Sequence, residues 1–191
     1  EHYKNYKVTK IKRKSSGLDL YYGGESEFFD YDKVILATHA DEALKLIENP
    51  TEEEINILSN FSYKENIAYI HTDKRAMPKN KKAWSSWNSS IDDKNLEKNS
   101  ITYWLNLLQN LKIDQNIFLT LNPYFNIDET KVLKKVKFTH PYYDQKALDA
   151  QSELVKLQNQ KDLLFCGSYF GYGFHEDGIK SSIEMLKNLN D

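Results

Sequence analysis

Asp162-Leu-Leu-Phe-Cys-Gly-Ser-Tyr-Phe-Gly-Tyr-Gly-Phe-His-Glu-Asp-Gly178 is the stretch on which the reading of this chain turns. Asp162–Cys166 is a short apolar run behind charge, the pattern of a strand buried on both faces of a parallel sheet. Four of the chain's seven glycines follow at once, at Gly167, Gly171, Gly173 and Gly178. Glycine lets backbone approach a ligand closely and tolerates positive φ. A helix is expected from about Gly178, with Ile179, Ile183, Met185 and Leu186 on its apolar face. Its free N–H groups and positive dipole end would point back at the turn. Such an end suits a phosphate, a carboxylate, or the pyrimidine edge of a reduced flavin, where negative charge develops. Tyr169, Phe170, Tyr172 and Phe174 offer walls for a flat ring. Standing alone, the same residues also read as a tight strand-to-helix turn with aromatic packing, Asp177 capping the helix and His175 a turn histidine.

The beginning of the chain has the same texture. Tyr6–Arg13 and Leu18–Tyr22 alternate around Ser15-Ser16-Gly17, a hairpin pattern, and Gly23-Gly24 marks a second turn. Phe28–Tyr31 leads into Lys33-Val34-Ile35-Leu36-Ala37, a second buried parallel strand. A helix follows, capped by Thr38 or Asp41, with Ala43, Leu44 and Ile47 as its stripe and Asn49-Pro50 as its stop. Thr51 with Glu54 three residues on is a capping box for a helix over Thr51–Ser59. The middle reads as antiparallel sheet, with strands at Ile67–His71, Ala83–Asn88, Ile101–Trp104, Ile117–Leu121 and Val132–Thr139. Asp73–Lys82 and Ser89–Asn99 look like long polar connections. Leu105–Leu111 extends a strand or forms a short helix, and Gln145–Gln158 reads as a helix. Two nucleotide-fold-like pieces therefore flank a β-rich insert.

The residues also carry a resemblance. Leu164–Gly178 looks like the closing signature of a bacterial family of FAD-dependent oxidoreductases (NAD/FAD-binding proteins) in the flavin-containing amine oxidase superfamily. Tyr31–His39 resembles that family's strand beneath the cofactor. His71-Thr72-Asp73, Met77-Pro78, Ala83–Asn88, Thr102-Tyr103-Trp104, Asn106, Leu108-Gln109, Leu121-Asn122-Pro123 and His140-Pro141 occur in the family's order. The resemblance implies an α/β FAD-binding domain at 1–48 and 161–191, interrupted by an antiparallel α+β substrate domain at 49–160. It places Val8 beside the adenine, and Ala37 and Thr38 near the adenosine diphosphate. Gly167 and Ser168 fall near the ribityl chain, with Glu176, Asp177, Gly178 and Ile179 at the helix end facing the isoalloxazine. Relatives often carry an acidic residue where this chain has Ser168. No G-x-G-x-x-G fingerprint occurs in the chain, and that element holds the FAD pyrophosphate and ribose. The chain accordingly resembles the C-terminal part of a longer flavoprotein, expected to hold FAD weakly by itself. The activity implied is hydride transfer from a substrate C–H bond to flavin N5. The substrate is an amine or, since family members resemble the N-terminal region of some plant cyclopropane fatty acid synthases, a lipid acyl chain. Oxygen, a quinone or a partner protein would serve as electron acceptor.

Composition narrows the classes. Lys plus Arg is 26 and Asp plus Glu is 28, a formal charge of −2, against a nucleic-acid module that neutralises phosphates. One cysteine, Cys166, forbids an internal disulfide framework and fits a reducing, cytoplasmic compartment. It and five scattered histidines show no metal-ligand spacing. Trp84, Trp87 and Tyr103, with Tyr169 and Tyr172, are candidate substrate-pocket residues, although tryptophans in a small sheet are commonly core. His71 near Asp73 reads as an acid–base pair or as a hydrogen-bonded loop-end histidine. Lys74, Arg75, Lys79, Lys81 and Lys82 form a basic cluster, solvated or suited to an acidic substrate or a peripheral contact with an anionic membrane. The rival of another class is a non-catalytic module whose aromatic sheet presents Trp84, Trp87 and Tyr103 to a ligand.

Overall fold

The computed structural model describes residues 1–23 and 27–189, so Gly24 of the expected second turn lies outside the described residues. The chain divides into two compact units, Glu1–Tyr63 with Pro141–Asp191, and Lys64–His140. The second unit is narrower than the 49–160 expected for the inserted lobe. The cause is packing: Ile57, Leu58, Ala147, Leu154 and Leu157 all bury in the first unit's core.

In the first unit, β1 (Val8–Arg13), β2 (Leu18–Tyr22) and β3 (Glu27–Tyr31) form an antiparallel sheet in that order. Gly17 turns β1 into β2 at φ 75°, and a Cβ there would strike the Tyr31 carbonyl. β4 (Val34–Leu36) pairs in parallel with β10 (Leu163–Phe165), Ile35 opposite Leu164. Parallel pairing of the two apolar runs is as expected, but full burial is not: Val34 and Leu36 are buried while Ile35 is 44% exposed. Around these strands pack α1 (Ala40–Leu46), α2 (Glu52–Leu58) and α4 (Gln145–Gln151). The helix expected over Gln145–Gln158 breaks after Gln151, and a 3₁₀ turn over Leu154–Leu157 delivers both of those leucines to the core. Neither Thr38 nor Asp41 caps α1; its N-cap is His39, and Asp41 instead pairs with Lys45. α2 has the full capping box, Thr51 and Glu54 each accepting from the other's backbone. Glu54 is 1% exposed and is paired with Arg13 of β1, which ties α2 to the hairpin.

α5 (His175–Lys187) begins three residues before the expected start. Its buried contacts come from Ser181 and Met185, the latter packed on Leu164 and Cys166. Ile179, Ile183 and Leu186 are exposed at 57%, 54% and 50%, so of the expected apolar face only Met185 meets this core.

The second unit is built on a sheet of order β6-β7-β8-β5-β9. Its strands are β5 (Ser62–His71), β6 (Trp87–Asp92), β7 (Asn95–Trp104), β8 (Phe118–Leu121) and β9 (Val132–Tyr142), with the short α3 (Leu105–Leu108) after β7. The expected strand at Ala83–Asn88 starts only at Trp87, because Lys81–Ala83 forms a 3₁₀ turn. Ser89–Asn99 is no loop: β6 and β7 continue through it as a hairpin, Ser90 opposite Ser100 and Ile91 opposite Asn99. Among the described residues, no helix is long and apolar enough to cross a membrane.

Candidate functional site

The parallel pair β4 and β10 ends with its two loops side by side. Thr38 and Gly167 meet closely enough that a Cβ on Gly167 would lie 3.5 Å from the Thr38 carbonyl oxygen and would overlap the Tyr169 ring. Both loops run into helix N-termini, α1 and α5. In open α/β sheets ligands bind at this carboxyl end of the strands. The Gly167 N–H donates to Ser181 Oγ at 2.9 Å, and that hydroxyl donates to the Gly178 carbonyl at 2.8 Å. Ser181 thus fastens the β10 loop to the first turns of α5. Asp177 accepts from the N–H groups of Tyr172 and Phe174 at 3.0 and 2.9 Å, shaping the turn from inside. Glu176 and Ile179 are exposed beside it.

Gly178 is different from its neighbours. Among the described residues, a Cβ built on it would meet only the Ser168 nitrogen, at an ordinary 3.8 Å. Glycine inside a helix costs about 1 kcal/mol against alanine, and the chain's own packing gives no reason for it. A cofactor pressed against the turn would supply that reason. The start of α5 thus leaves open space beside Gly178, next to Ser168.

Val8 and Thr38 come together independently. With Lys7, Thr9, Glu42 and Lys45 they line a cavity of about 580 Å³, inside the range of small-molecule sites. Ala37 is exposed at the same strand end. Sequence reading missed His39 and Tyr63, whose rings stack at 4.2 Å and 12° beside this edge. The Tyr63 hydroxyl accepts from the Ala40 N–H at 2.8 Å, and burial pushes its pKa up to about 12. Ser181 was missed as well; its signal was a small polar residue one turn after Gly178 on the buried side of a helix.

The candidate pocket aromatics separate. Trp87 and Tyr103 are cross-strand partners in edge contact at 4.8 Å, with Trp87 60% exposed. Trp84 packs on Trp104 and Phe118, and its indole N–H donates to the Pro78 carbonyl at 2.8 Å. Trp104 follows Tyr103 on β7 and so points to the other face. Tyr169, expected to wall a ring, is 2% exposed in the first unit's core with its hydroxyl unpartnered among the described residues, while Tyr172 of the same unit is 72% exposed. His71 is fully buried: its Nδ1 accepts from the Asp73 N–H, and its Nε2 lies 2.8 Å from Thr120 Oγ1. Burial, partly opposed by the Asp73 charge, lowers its pKa. The Asp73 carboxylate is taken by Arg75 and the Asp128 N–H. The two side chains thus form no acid–base dyad, and the hydrogen-bonded histidine is the arrangement found.

No family model and no curated protein matches this chain. Solved structures do. A CLA-producing fatty acid isomerase from P. acnes superposes with a TM-score of 0.65 at 12% identity, over 96% of this chain and 47% of its own. Cyclohexylamine oxidase from Brevibacterium oxydans IH-35A gives 0.60 at 10%, over 97% and 49%. Putrescine oxidase bound to putrescine gives 0.62 at 10%, over 98% and 49%. The chain has the fold of about half of these enzymes, and it spans about half of their length.

Proposed function

We propose that this chain forms one side of the cofactor site of an FAD-dependent oxidoreductase of the amine oxidase type. The observation that carries the reading is Gly178: a helix glycine unneeded by its own chain, at the meeting of two parallel strand ends. The adenine end is assigned to the cavity lined by Val8 and Thr38, and the isoalloxazine end to Ser168 and the first turn of α5. FAD, when bound, supplies the acceptor for a hydride taken from a substrate C–H bond. The chain's residues bind and orient. The dipole of α5 favours negative charge at the ring edge, opposed in part by the Glu176 and Asp177 carboxylates of its first turn, and Asp177 and Ser181 fix the turn that presents it. Since the glycine fingerprint for the pyrophosphate is absent from these 191 residues, the chain alone is expected to hold FAD weakly.

One observation favours an acyl over an amine substrate. The sheet face bearing Trp87 also carries Ile101, Tyr103, Leu119 and Leu121 at paired positions, an apolar surface suited to a hydrocarbon chain. The fatty acid isomerase among the similar folds is consistent with this.

The test is the absorption spectrum of the protein as its host expresses it, after reconstitution with FAD, beside the same protein carrying Gly178→Val. Flavin bands in the parent and an about tenfold loss of FAD affinity in the variant are expected, as a branched side chain intrudes on the ring. A colourless parent overturns the reading. Unchanged retention in the variant removes the α5 turn from the site.

A further inference from the structure

We propose that the second unit carries a separate binding site for an anion with an apolar tail, the chemistry of a fatty acid's carboxylate end. It lies in a cavity of about 590 Å³ between the Arg75–Lys79 segment and β6. Two members of the basic cluster, Arg75 and Lys79, line it. Arg75 is held from behind: its Nε and Nη2 donate to Asp73, whose side chain is 1% exposed. The arginine side chain is nevertheless 64% exposed. Its Nη1 makes no hydrogen bond to Asp73 among the described residues, so a fixed guanidinium still has donors for an incoming anion. No carboxylate lines the cavity. The Ser90 hydroxyl, on the lining strand, is buried without a partner among the described residues. A buried unpaired hydroxyl is costly unless something completes it. Met77 and Phe125 make part of the wall apolar, which suits a tail rather than a fully hydrated ion. Ser90 alternates with Trp87 along β6 and lies on the opposite face, and neither Trp87 nor Tyr103 lines the cavity. It owes nothing to the flavin.

The indole N–H of Trp84, bonded to the Pro78 carbonyl in the cavity wall, is a built-in reporter. Its ¹H–¹⁵N signal, assigned with Trp84→Phe, is followed in the 191-residue chain during titration with decanoate below its micelle concentration. Decanol, acetate and inorganic phosphate serve as controls. A saturable shift with decanoate is expected, with at least tenfold weaker response to each control. Ser90→Ala and Lys79→Gln should each weaken decanoate binding about tenfold. Ser90→Ala should leave the melting temperature unchanged or raised, because it removes an unsatisfied hydroxyl; that separates a ligand-binding role from a structural one. Equal binding of decanol, saturation by phosphate alone, or decanoate binding that ignores both substitutions overturns the proposal.

Discussion

Gly171 and Gly178 stand in the same turn and answer to different demands. At Gly171 a side chain would run into the Asp177 carboxylate, the group that organises Tyr172 and Phe174. At Gly178 the space beside the helix is open to a methyl group. Gly171→Ala should therefore destabilise the chain by about 1–3 kcal/mol through overpacking, whereas Gly178→Ala should stabilise it by about 1 kcal/mol through helix propensity. Urea denaturation of the two variants checks the contrast. A destabilised Gly178→Ala would mean that the fold, not a ligand, requires the glycine, and the functional reading would lose its main support. The glycines were visible in the sequence; which of them served the fold and which did not needed the position of Asp177.

At the scale of elements, the β5–β8–β7 region buries a row of polar groups beside Phe118 and Ala68. His71, Thr120 and Thr102 form a chain across three strands, with Thr120 Oγ1 2.9 Å from Thr102 Oγ1. With Nδ1 accepting from Asp73, neutral His71 donates from Nε2, and protonation would break this arrangement. Its folded pKa lies below the unfolded value of about 6.5. Its contribution to stability is therefore complete above about pH 6.5 and is lost as pH falls toward the folded pKa, by at most about 1.4 kcal/mol per pH unit. Asp73 is also depressed, mainly by its hydrogen bonds from Arg75. Its contribution is present above about pH 3.9 and disappears only at lower pH, outside this window. Urea melts at pH 7.5 and 5.5, estimated as about one unit either side of the free histidine value, should show a loss that His71→Gln largely removes. An equal loss in the variant refutes the assignment. The polar sheet also explains why the hairpin over Trp87–Trp104 was misread. Asn95-Leu-Glu-Lys-Asn-Ser100 has the composition of a loop, and cross-strand pairing with β6 overrides it. Apolar runs such as Val34–Leu36 and Leu163–Phe165, and the Thr51–Glu54 box, were legible because local chemistry and tertiary packing agree there.

In the first unit taken whole, the parallel pair has one closed edge and one open one. Gln158 closes β10: its side-chain amide accepts from the Phe165 N–H at 3.1 Å and donates to the Phe165 carbonyl at 2.8 Å, imitating a neighbouring strand. On β4, Val34 and Leu36 face β10, the N–H of the first and the carbonyl of the second bonding to it. By the alternation of a parallel ladder, Ile35 points its backbone the other way, and no hydrogen bond reaches it among the described residues. A two-stranded parallel sheet with an exposed isoleucine on its open strand is an edge that can accept a further strand. The sequence could show that both strands were parallel-type, but not which edge would be closed, since that depends on a glutamine brought back by the 3₁₀ turn at Leu154–Leu157. Hydrogen exchange on the 191-residue chain should find the Phe165 amide strongly protected and the Ile35 amide exchanging about as fast as a surface loop. Gln158→Ala should release Phe165 toward the Ile35 rate while leaving the Cys166 amide, bonded to the Leu36 carbonyl, protected. Protection at Ile35 equal to that at Phe165 would show that the edge is already filled, either by this chain or by another copy of it.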